Sequence, residues 1–538
     1  MAALTGSTIA DTYKDLLQVS NSNSGVDTTA RAVSDGEGTA SLLYLSTTEV
    51  YSPGTGGTSN TAFGKNAGDA LAANGNYNVV LGEEAGTALS TADNNVAIGY
   101  QAFYRATTGA DDCVAIGYNA MSGNFGAVAA DDCVAIGSGA LAGTLTTGAV
   151  GTTVVGKAAG AAITEGQKNT AIGYGALTAE TDGDFSVAVG YNALAASTGG
   201  AGTMGSTAVG YSAGSAITSG TGNTLIGYLA GDALDTMTHN TAVGYGALGG
   251  SSAVDSTVVI GSGAGAGALT AAADGTVLIG YSAGAALTSG ADNLAIGENA
   301  LLEHTTGSRN IAIGFGAMDD TGANDCPTSI DNVFIGLNSG GGTWTTNDCN
   351  YNVGIGNYTL DAAMNGAVNN VAVGHLAGSG ITTATNDVLI GYGAGDALTT
   401  GSHSVAIGYL ALSAETTSSF NVGIGYQALA IQDGGVGNVA MGRDAGTAVT
   451  TGDQNTLIGY QAGVALTSGA TNTFVGNLAG NTDLTGVFNV MIGHNVQPSD
   501  TDRQDQYVIG RSCSSLANTS ILFGASGNTL RVALDGST

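Results

Sequence analysis

The sequence predicts an all-β fold, a parallel β-solenoid or β-roll of about 27 coils, from three observations. An apolar triplet that ends in glycine recurs 27 times between Gly64 and Gly524. Of the 26 intervals between these glycines, 16 are 17 residues long, and nearly all the others are longer, as loop insertions in a repeat would make them. Gly accounts for 90 of 538 residues and Pro for 3, without the Gly-X-Y period of collagen. Self-similarity at a fixed period of this size is typical of solenoids.

Each triplet predicts a short strand. We number the positions of a coil from the glycine that ends its triplet, which we call the anchor. Position −3 is mostly Val or Thr, position −2 is usually Ala, and position −1 is always apolar, a composition that favours strands. Glycine at the anchor lets the backbone turn where a Cβ atom would clash. Position +3 is Ala in 22 of the 24 copies from Gly64 to Gly476, which predicts a close approach of backbones.

A packed interior is predicted because every one of these 24 coils supplies one further large apolar side chain. Eleven copies carry it at position +4, as at Leu177 and Leu412. The other thirteen have Gly at +4 and an apolar residue at +7 or +8 instead, such as Leu234, Trp344 or Leu484. Burial of such a side chain stabilises a fold by ~1.5–3 kcal/mol. The compensation between the two positions therefore indicates one interior space per coil.

Two further columns follow from the repeat. Asn occupies position −4 in 16 of 27 copies, and Tyr occupies position +1 in 12. Stacked Asn side chains at a seam or surface are expected to hydrogen-bond along the solenoid axis. The Tyr column is expected at the surface, where packing between chains and binding of sugars are both open interpretations. Tyr174, Tyr228 and Tyr409 are our receptor-contact candidates in this column.

The anchors divide the chain into three parts. Residues 1–59 carry no anchor and are expected to form an N-terminal attachment module, with strands at 30–33 and 40–45. Residues 60–493 form the repeat shaft. Residues 494–538 are polar at first and then hold two degenerate strands at 507–510 and 521–524, which predicts a C-terminal cap or tip, since terminal repeats must differ to end the stacking.

Two stretches resemble known families. The motif Asn-x-Ala-Ile-Gly-Tyr-x-Ala, as at 169–176, resembles the head repeats of YadA-like trimeric autotransporter adhesins over about residues 60–493. That resemblance implies a left-handed parallel β-roll with three chains side by side. Residues 8–25, 35–40 and 45–48 look like the start of tail-fibre proteins of aquatic tailed phages, which implies a virion attachment module.

The composition limits the kinds of partner that this chain is expected to bind. The formal net charge is −31 with only 11 Lys and Arg residues, so we expect no nucleic-acid partner, because phosphate contacts need a basic surface. No apolar run approaches the ~20 residues of a membrane-spanning helix, so no membrane insertion is expected. The first residues lack the basic and apolar regions of a secretory signal. We find no catalytic constellation and no phosphate-binding loop, and therefore expect neither enzymatic activity nor a cofactor.

Acidic residues recur in phase and make candidate cation ligands between neighbouring coils. They are Asp111, Asp112, Asp131 and Asp132. The Ca²⁺-binding nonapeptide repeat is absent, so our expectation is that the chain holds no metal. Insertions are longest at 319–352, and insertions on a solenoid often form the binding face. Trp344, the single Trp, is therefore also a receptor-contact candidate, with tolerated surface drift as the alternative.

Four of the five cysteines lie on neighbouring coils in pairs. Cys113 and Cys133 share one repeat phase, and Cys326 and Cys349 lie in two adjacent long coils. Stacked coils would bring each pair near bridging distance, so two disulfides are allowed. Buried or loop thiols are the alternative interpretation, because five cysteines are too few for a disulfide scaffold.

These observations favour a structural and adhesive fibre, expected to be a homotrimer on a virion. The fibre would attach to tail, baseplate or capsid proteins through residues 1–59. It would touch a host-surface glycan or protein through its shaft loops or tip. The alternative is a bacterial extracellular adhesin or matrix filament that assembles end to end. A fibre depolymerase is a third hypothesis, disfavoured because no Glu/Asp pair lies in an irregular domain.

Overall fold

The computed structural model describes residues 57, 59–71, 74–105, 110–125, 130–145, 150–199, 205–321, 326, 328–514, 520–525 and 528–533, together with four short strands before residue 57. The chain divides into two compact units. Unit 1 comprises Met1–Ser256, and unit 2 comprises Thr257–Thr538.

Unit 1 begins with a four-stranded antiparallel sheet in chain order. Its strands are β1 (Gln18–Val19), β2 (Arg31–Ser34), β3 (Ala40–Leu45) and β4 (Val50–Tyr51). The two strands predicted at 30–33 and 40–45 are confirmed as β2 and β3. The rest of the predicted attachment module lies almost entirely outside the described residues, and its role stays a prediction.

The remainder of unit 1 is a parallel β-solenoid in which each strand pairs with the next along the chain. Its strands are β5 (Thr61–Phe63), β6 (Val79–Leu81), β7 (Val96–Ile98), β8 (Val114–Ile116), β9 (Val134–Ile136), β10 (Thr153–Val155), β11 (Thr170–Ile172), β12 (Val187–Val189), β13 (Thr207–Val209), β14 (Thr224–Ile226) and β15 (Thr241–Val243). Equal repeat positions face each other, so that Ala171 lies opposite Ala188.

Unit 2 repeats the same architecture. Its strands are β16 (Val258–Ile260), β17 (Val277–Ile279), β18 (Leu294–Ile296), β19 (Ile311–Ile313), β20 (Val333–Ile335), β21 (Val353–Ile355), β22 (Val371–Val373), β23 (Val388–Ile390), β24 (Val405–Ile407), β25 (Val422–Ile424), β26 (Val439–Met441), β27 (Thr456–Ile458), β28 (Thr473–Val475), β29 (Val490–Ile492), β30 (Gln506–Arg511), β31 (Ser520–Ala525) and β32 (Asn528–Ala533). One 3₁₀ turn, Ala271–Ala273, follows β16. The two degenerate strands predicted near the C-terminus are confirmed as β30 and β31. Strand β32 pairs antiparallel with β31 and so departs from the parallel stacking.

The structure confirms the all-β fold class and the parallel solenoid with its 17-residue repeat. The anchors turn the chain with positive φ, as at Gly173 (φ 136°). A Cβ atom there would strike the carbonyl oxygen of Gly190 in the next coil. Glycine is therefore required by both the backbone conformation and the stacking distance.

Position −2 of each strand points inward, and position −1 points outward. Ala171 and Ala188 at position −2 are fully buried, whereas Ile172 and Ile226 at position −1 are each 40% exposed. The composition of a triplet does not by itself reveal which residue points inward. The period of two along a strand makes position −2 the single inward residue, where Ala is the commonest side chain and Leu225 and Leu457 are also fully buried.

Positions +4 and +7 compete for one interior space, which confirms the predicted compensation. Position +4 adopts a left-handed conformation in both kinds of coil, with φ of 49° at Leu177 and 57° at Gly231. A Cβ atom on Gly231 would lie 2.9 Å from Cδ1 of Leu234, the interior residue of that coil. Leu177 is fully buried, and its burial offsets the ~1–2 kcal/mol of left-handed strain.

One predicted interior residue is wrong. Leu484 is 40% exposed, and Asp483 at position +7 is buried in its place. Position −2 of the same coil holds Phe474 in place of the usual Ala, and its side chain is fully buried. A Cβ atom on Gly480 would strike the Phe474 ring. A Phe at position −2 does not by itself exclude a second large side chain, because Phe334 and Trp344 are both fully buried in one coil.

The Asn column is confirmed as an axial hydrogen-bond ladder, but it is buried rather than at the surface. In unit 2, Asn455 Oδ1 accepts from the backbone N–H of Asn472 at 3.0 Å. Asn455 Nδ2 donates to the carbonyl of Gly469 at 2.8 Å. Each Asn thereby satisfies backbone groups of the turn in the next coil that would otherwise be buried without partners.

Candidate functional site

The outward face of the strands is the most extensive candidate surface. Positions −3 and −1 carry only Val, Ile, Leu, Thr, Met, Phe or Tyr in β5–β30. At position −1, Ile172 and Ile226 in unit 1 and Ile390 and Ile492 in unit 2 are 37–40% exposed. We call these two columns the strand face. Neither column contains a charged residue, although the chain has a net charge of −31.

In unit 1 the Tyr column borders the strand face at position +1. Its rings stack nearly parallel on successive coils, with centroids 5.1–5.3 Å apart. The stack runs through Tyr174, Tyr191, Tyr211, Tyr228 and Tyr245. Because each ring covers its neighbour's face, the column offers ring edges and hydroxyls to a partner. Flat stacking of a sugar on an inner ring is therefore blocked.

Unit 2 carries a second column in which other side chains join the stack. His375, Tyr392, Tyr409 and Tyr426 stack at 5.1–5.3 Å. The guanidinium of Arg443 then lies 5.5 Å from the Tyr426 ring centroid and 5.9 Å from that of Tyr460. The receptor-contact candidates Tyr174, Tyr228 and Tyr409 are 43–48% exposed, and receptor contact at these residues stays a prediction.

Trp344 is not available as a receptor contact. Its side chain is fully buried against the Phe334 ring, with centroids 5.8 Å apart, and its Nε1–H donates to the Gly340 carbonyl at 3.1 Å. Its assignment as the interior residue of its coil is confirmed. The prediction that Trp344 contacts a receptor is wrong, because its side chain lies in the interior of its coil and not on the surface of the insertion.

Two of the four candidate aspartates accept hydrogen bonds from the backbone, and the other two are exposed. Asp111 Oδ1 accepts from the N–H of Asp93 at 2.7 Å, and Asp131 Oδ1 accepts from the N–H of Asp111 at 3.0 Å. Asp112 and Asp132 are exposed at position −5 with left-handed φ of 58–59°. Within the described part of the chain, no three His, Cys, Asp or Glu side chains are grouped to hold a metal ion.

The allowed disulfides are not formed, and Cys113, Cys133, Cys326 and Cys349 are buried thiols. Cys113 and Cys133 occupy position −4, where the Asn ladder would otherwise run. The Cys113 thiol donates to the Ala130 carbonyl at 2.7 Å, and the Cys133 N–H donates to Cys113 Sγ at 3.4 Å. Burial raises the pKa of the Cys349 thiol to about 12. The Cys113 and Cys133 thiols thus continue the axial hydrogen bonding of the Asn ladder and do not form a disulfide.

Sequence reasoning missed a set of buried polar side chains at position +7. They are Glu180, Ser197, Ser251, His304, Thr321, Glu415, Gln432 and Asp483. All but Asp483 lie in coils whose position +4 already holds a large apolar residue. The signal was present in the sequence as polar residues in phase with buried Leu or Ile of other coils. Hydropathy alone does not reveal it.

No protein-family model matches the chain. No curated protein matches it either. Among the described residues, no helix is long and apolar enough to cross a membrane.

Proposed function

We propose that this protein is a structural and adhesive fibre whose solenoid associates side by side with further copies of itself. Three copies are proposed from the resemblance to trimeric adhesin heads. Attachment to a virion through residues 1–59 and contact with a host surface through shaft loops or tip belong to the same proposal. The observation that carries it is the uncharged, apolar strand face.

An exposed apolar surface such as the strand face is expected to be buried against a partner. Soluble monomers rarely expose contiguous apolar patches beyond a few hundred Å². In the strand face, partly exposed Ile and Val recur on the coils of β6 to β15 in unit 1 and again in unit 2, bordered by stacked Tyr. The acidic residues that keep the chain soluble are absent from these columns.

A second copy of the same chain is the partner that fits the strand face. Coils stack at about 4.8 Å, so any column on the surface repeats with that spacing. Only another solenoid presents apolar side chains at the same interval over many coils. Each contact is small, and the sum along the columns gives a stable association.

The mass of the full-length chain in solution tests this proposal, measured by light scattering over a concentration series. We expect a threefold mass that does not change with concentration. A variant with Ile172, Ile226, Ile390 and Ile492 all changed to Lys should fall to the mass of one chain. Its β-sheet circular dichroism should persist, because these side chains point away from the interior.

Thr236→Lys is the matched control, because Thr236 is exposed at position +9, outside the strand face. It should keep the threefold mass. A monomeric wild-type chain would overturn the lateral-association proposal. A mass that climbs steadily with concentration, with rods joining end to end in electron micrographs, would favour the matrix filament instead.

A further inference from the structure

Four buried polar side chains come together inside unit 2 on three successive coils. Asp387 is fully buried and Glu415 is 1% exposed. Asp387 Oδ1 accepts from the N–H of Ser404 at 2.7 Å, and the Ser404 hydroxyl lies 3.5 Å from Glu415 Oε1. Asn421 Nδ2 lies 3.2 Å from both oxygens of Glu415. Ser404 therefore joins two carboxyl groups in the solenoid interior.

The donors around these carboxyl groups are too few for two negative charges. Asp387 Oδ2 is buried and has no hydrogen-bond partner. The charges that act on Glu415 are those of Asp387 and, with a smaller effect, the exposed Asp433, and both have the same sign as Glu415. Among the described residues, no basic side chain contacts Asp387 or Glu415. A buried carboxylate without a cation or sufficient donors relieves its desolvation penalty by taking up a proton.

We propose that Asp387 and Glu415 form a buried proton-binding site that makes the surrounding coils of unit 2 more stable in mild acid than in mild alkali. A proton on Asp387 removes the negative charge that its buried and unpartnered Oδ2 atom would otherwise share.

The direction of the pH effect follows from the pH values at which the folded and the unfolded chain lose these protons. Burial raises the pKa of Asp387 from 3.8 to about 7. Burial, with a contribution from the Asp387 charge, raises the pKa of Glu415 from 4.5 to about 8. The unfolded chain releases both protons near pH 4, whereas the folded chain keeps them to pH 7–8. The contribution of these two groups to stability is therefore greatest below about pH 4 and falls as pH rises to about 8, by about tenfold in the unfolding constant per pH unit and group.

The repeat itself supplies conservative test variants. Asn is the commonest residue at position −4, and Asn370 in the preceding coil donates from Nδ2 to the Ala384 carbonyl at 2.8 Å. Asp387→Asn therefore extends an existing ladder. Gln432 holds position +7 in the following coil, where Nε2 donates to the Gly435 carbonyl at 2.6 Å. Glu415→Gln has the same precedent, so both variants should fold.

The test is hydrogen–deuterium exchange of the full-length chain, followed by mass spectrometry at pH about 5 and about 9 and corrected for intrinsic exchange rates. In the wild type, protection of the amides in β23 and β24 should fall at least tenfold between the two conditions. In the Asp387→Asn/Glu415→Gln variant it should change less than twofold. Asp433→Asn removes only the exposed charge and should keep the wild-type profile.

Infrared spectroscopy of the folded wild type gives a second readout that needs no variant to fold. A protonated-carboxyl band should persist at pH about 6, where exposed carboxyl groups are ionised. Absence of that band, or wild-type protection in β23 and β24 that does not fall with pH, would overturn the proposal. So would an unchanged pH dependence in the double variant.

Discussion

Two buried glutamates occupy position +7 of their coils, one in each unit, with different surroundings. In unit 1, Oε1 of Glu180 accepts from the N–H groups of Gly183 at 2.7 Å and Thr181 at 3.1 Å. Its Oε2 accepts from the Ser197 hydroxyl at 2.6 Å. Charge-assisted bonds of this length are the stronger kind. The solenoid thus builds a complete set of donors around one carboxylate.

Glu415 in unit 2 has no such set. The Asn421 amide is shared between its two oxygens at 3.2 Å, and that same amide also donates to the Gly435 carbonyl at 2.8 Å. The neighbouring Asp387 adds a second carboxyl group. Equal burial at one repeat position therefore has opposite consequences. Donors stabilise the charge of Glu180, whereas Glu415 is left with the cost of desolvation.

Substitution of Glu180 and of Glu415 by Ala should give the largest difference in the free energy of unfolding between the two sites. Glu180→Ala leaves the N–H groups of Gly183 and Thr181 without their acceptor and opens a cavity, so we expect a loss of about 3–5 kcal/mol from the free energy of unfolding. Glu415→Ala should cost no more than about 2 kcal/mol at neutral pH, because removing a poorly paired carboxyl group offsets the cavity. Denaturant unfolding with local hydrogen exchange measures both. Equal losses would contradict the contrast.

A buried base at the same position should show the opposite pH dependence. In unit 2, Nε2 of His304 lies 3.2 Å from Asn310 Nδ2, and Nδ1 lies 3.1 Å from the Thr321 hydroxyl. Burial lowers the pKa of His304 from 6.5 to about 4. The unfolded chain gains a proton below pH 6.5 and the folded chain resists it. Stability should therefore fall as pH drops from 6.5 to 4, by about 3 kcal/mol in total.

Local hydrogen exchange across 294–313 as a function of pH measures this effect. His304→Gln should remove the loss between pH 6.5 and 4 in this segment, while β23 and β24 keep the change between about pH 4 and 8 that Asp387 and Glu415 produce. A variant that retains the acid-side loss would show that another group is responsible.

Much of the fold was predictable because its physics is periodic. Strands, turns and interior residues repeat with the anchor, so one coil's logic applies to the next. The failures are places where one coil departs from that logic. Leu484 lies outward in the coil of Phe474, whereas Trp344 lies buried beside Phe334. Both coils have a buried Phe at position −2, so a pattern of apolar letters does not report which outcome follows.

The candidate sites were less predictable because they depend on direction and not on composition. A triplet such as 258–260 is apolar throughout, and only the coil geometry shows that Ile260 faces outward and Val259 inward. The buried acids carry no hydrophobic signal, and charged residues in a sequence suggest a solvated loop. Their phase relative to Leu234 or Leu398 was the one available indication.

The smallest expected effect comes from the removal of a single hydrogen-bond donor to each glutamate. Ser197→Ala removes the hydroxyl bond to Glu180 and leaves the two backbone donors in place, so we expect a loss of about 1–2 kcal/mol from the free energy of unfolding. Ser404→Ala is the matched change near Glu415, where the hydroxyl lies 3.5 Å away and its N–H bond to Asp387 is kept. That contact is at the limit of a hydrogen bond, so the second loss should stay within about 0.5 kcal/mol. Equal losses measured by denaturant unfolding would mean that the serine hydroxyl contributes alike at both sites. The difference between the two glutamates would then rest on the backbone donors of Glu180 alone.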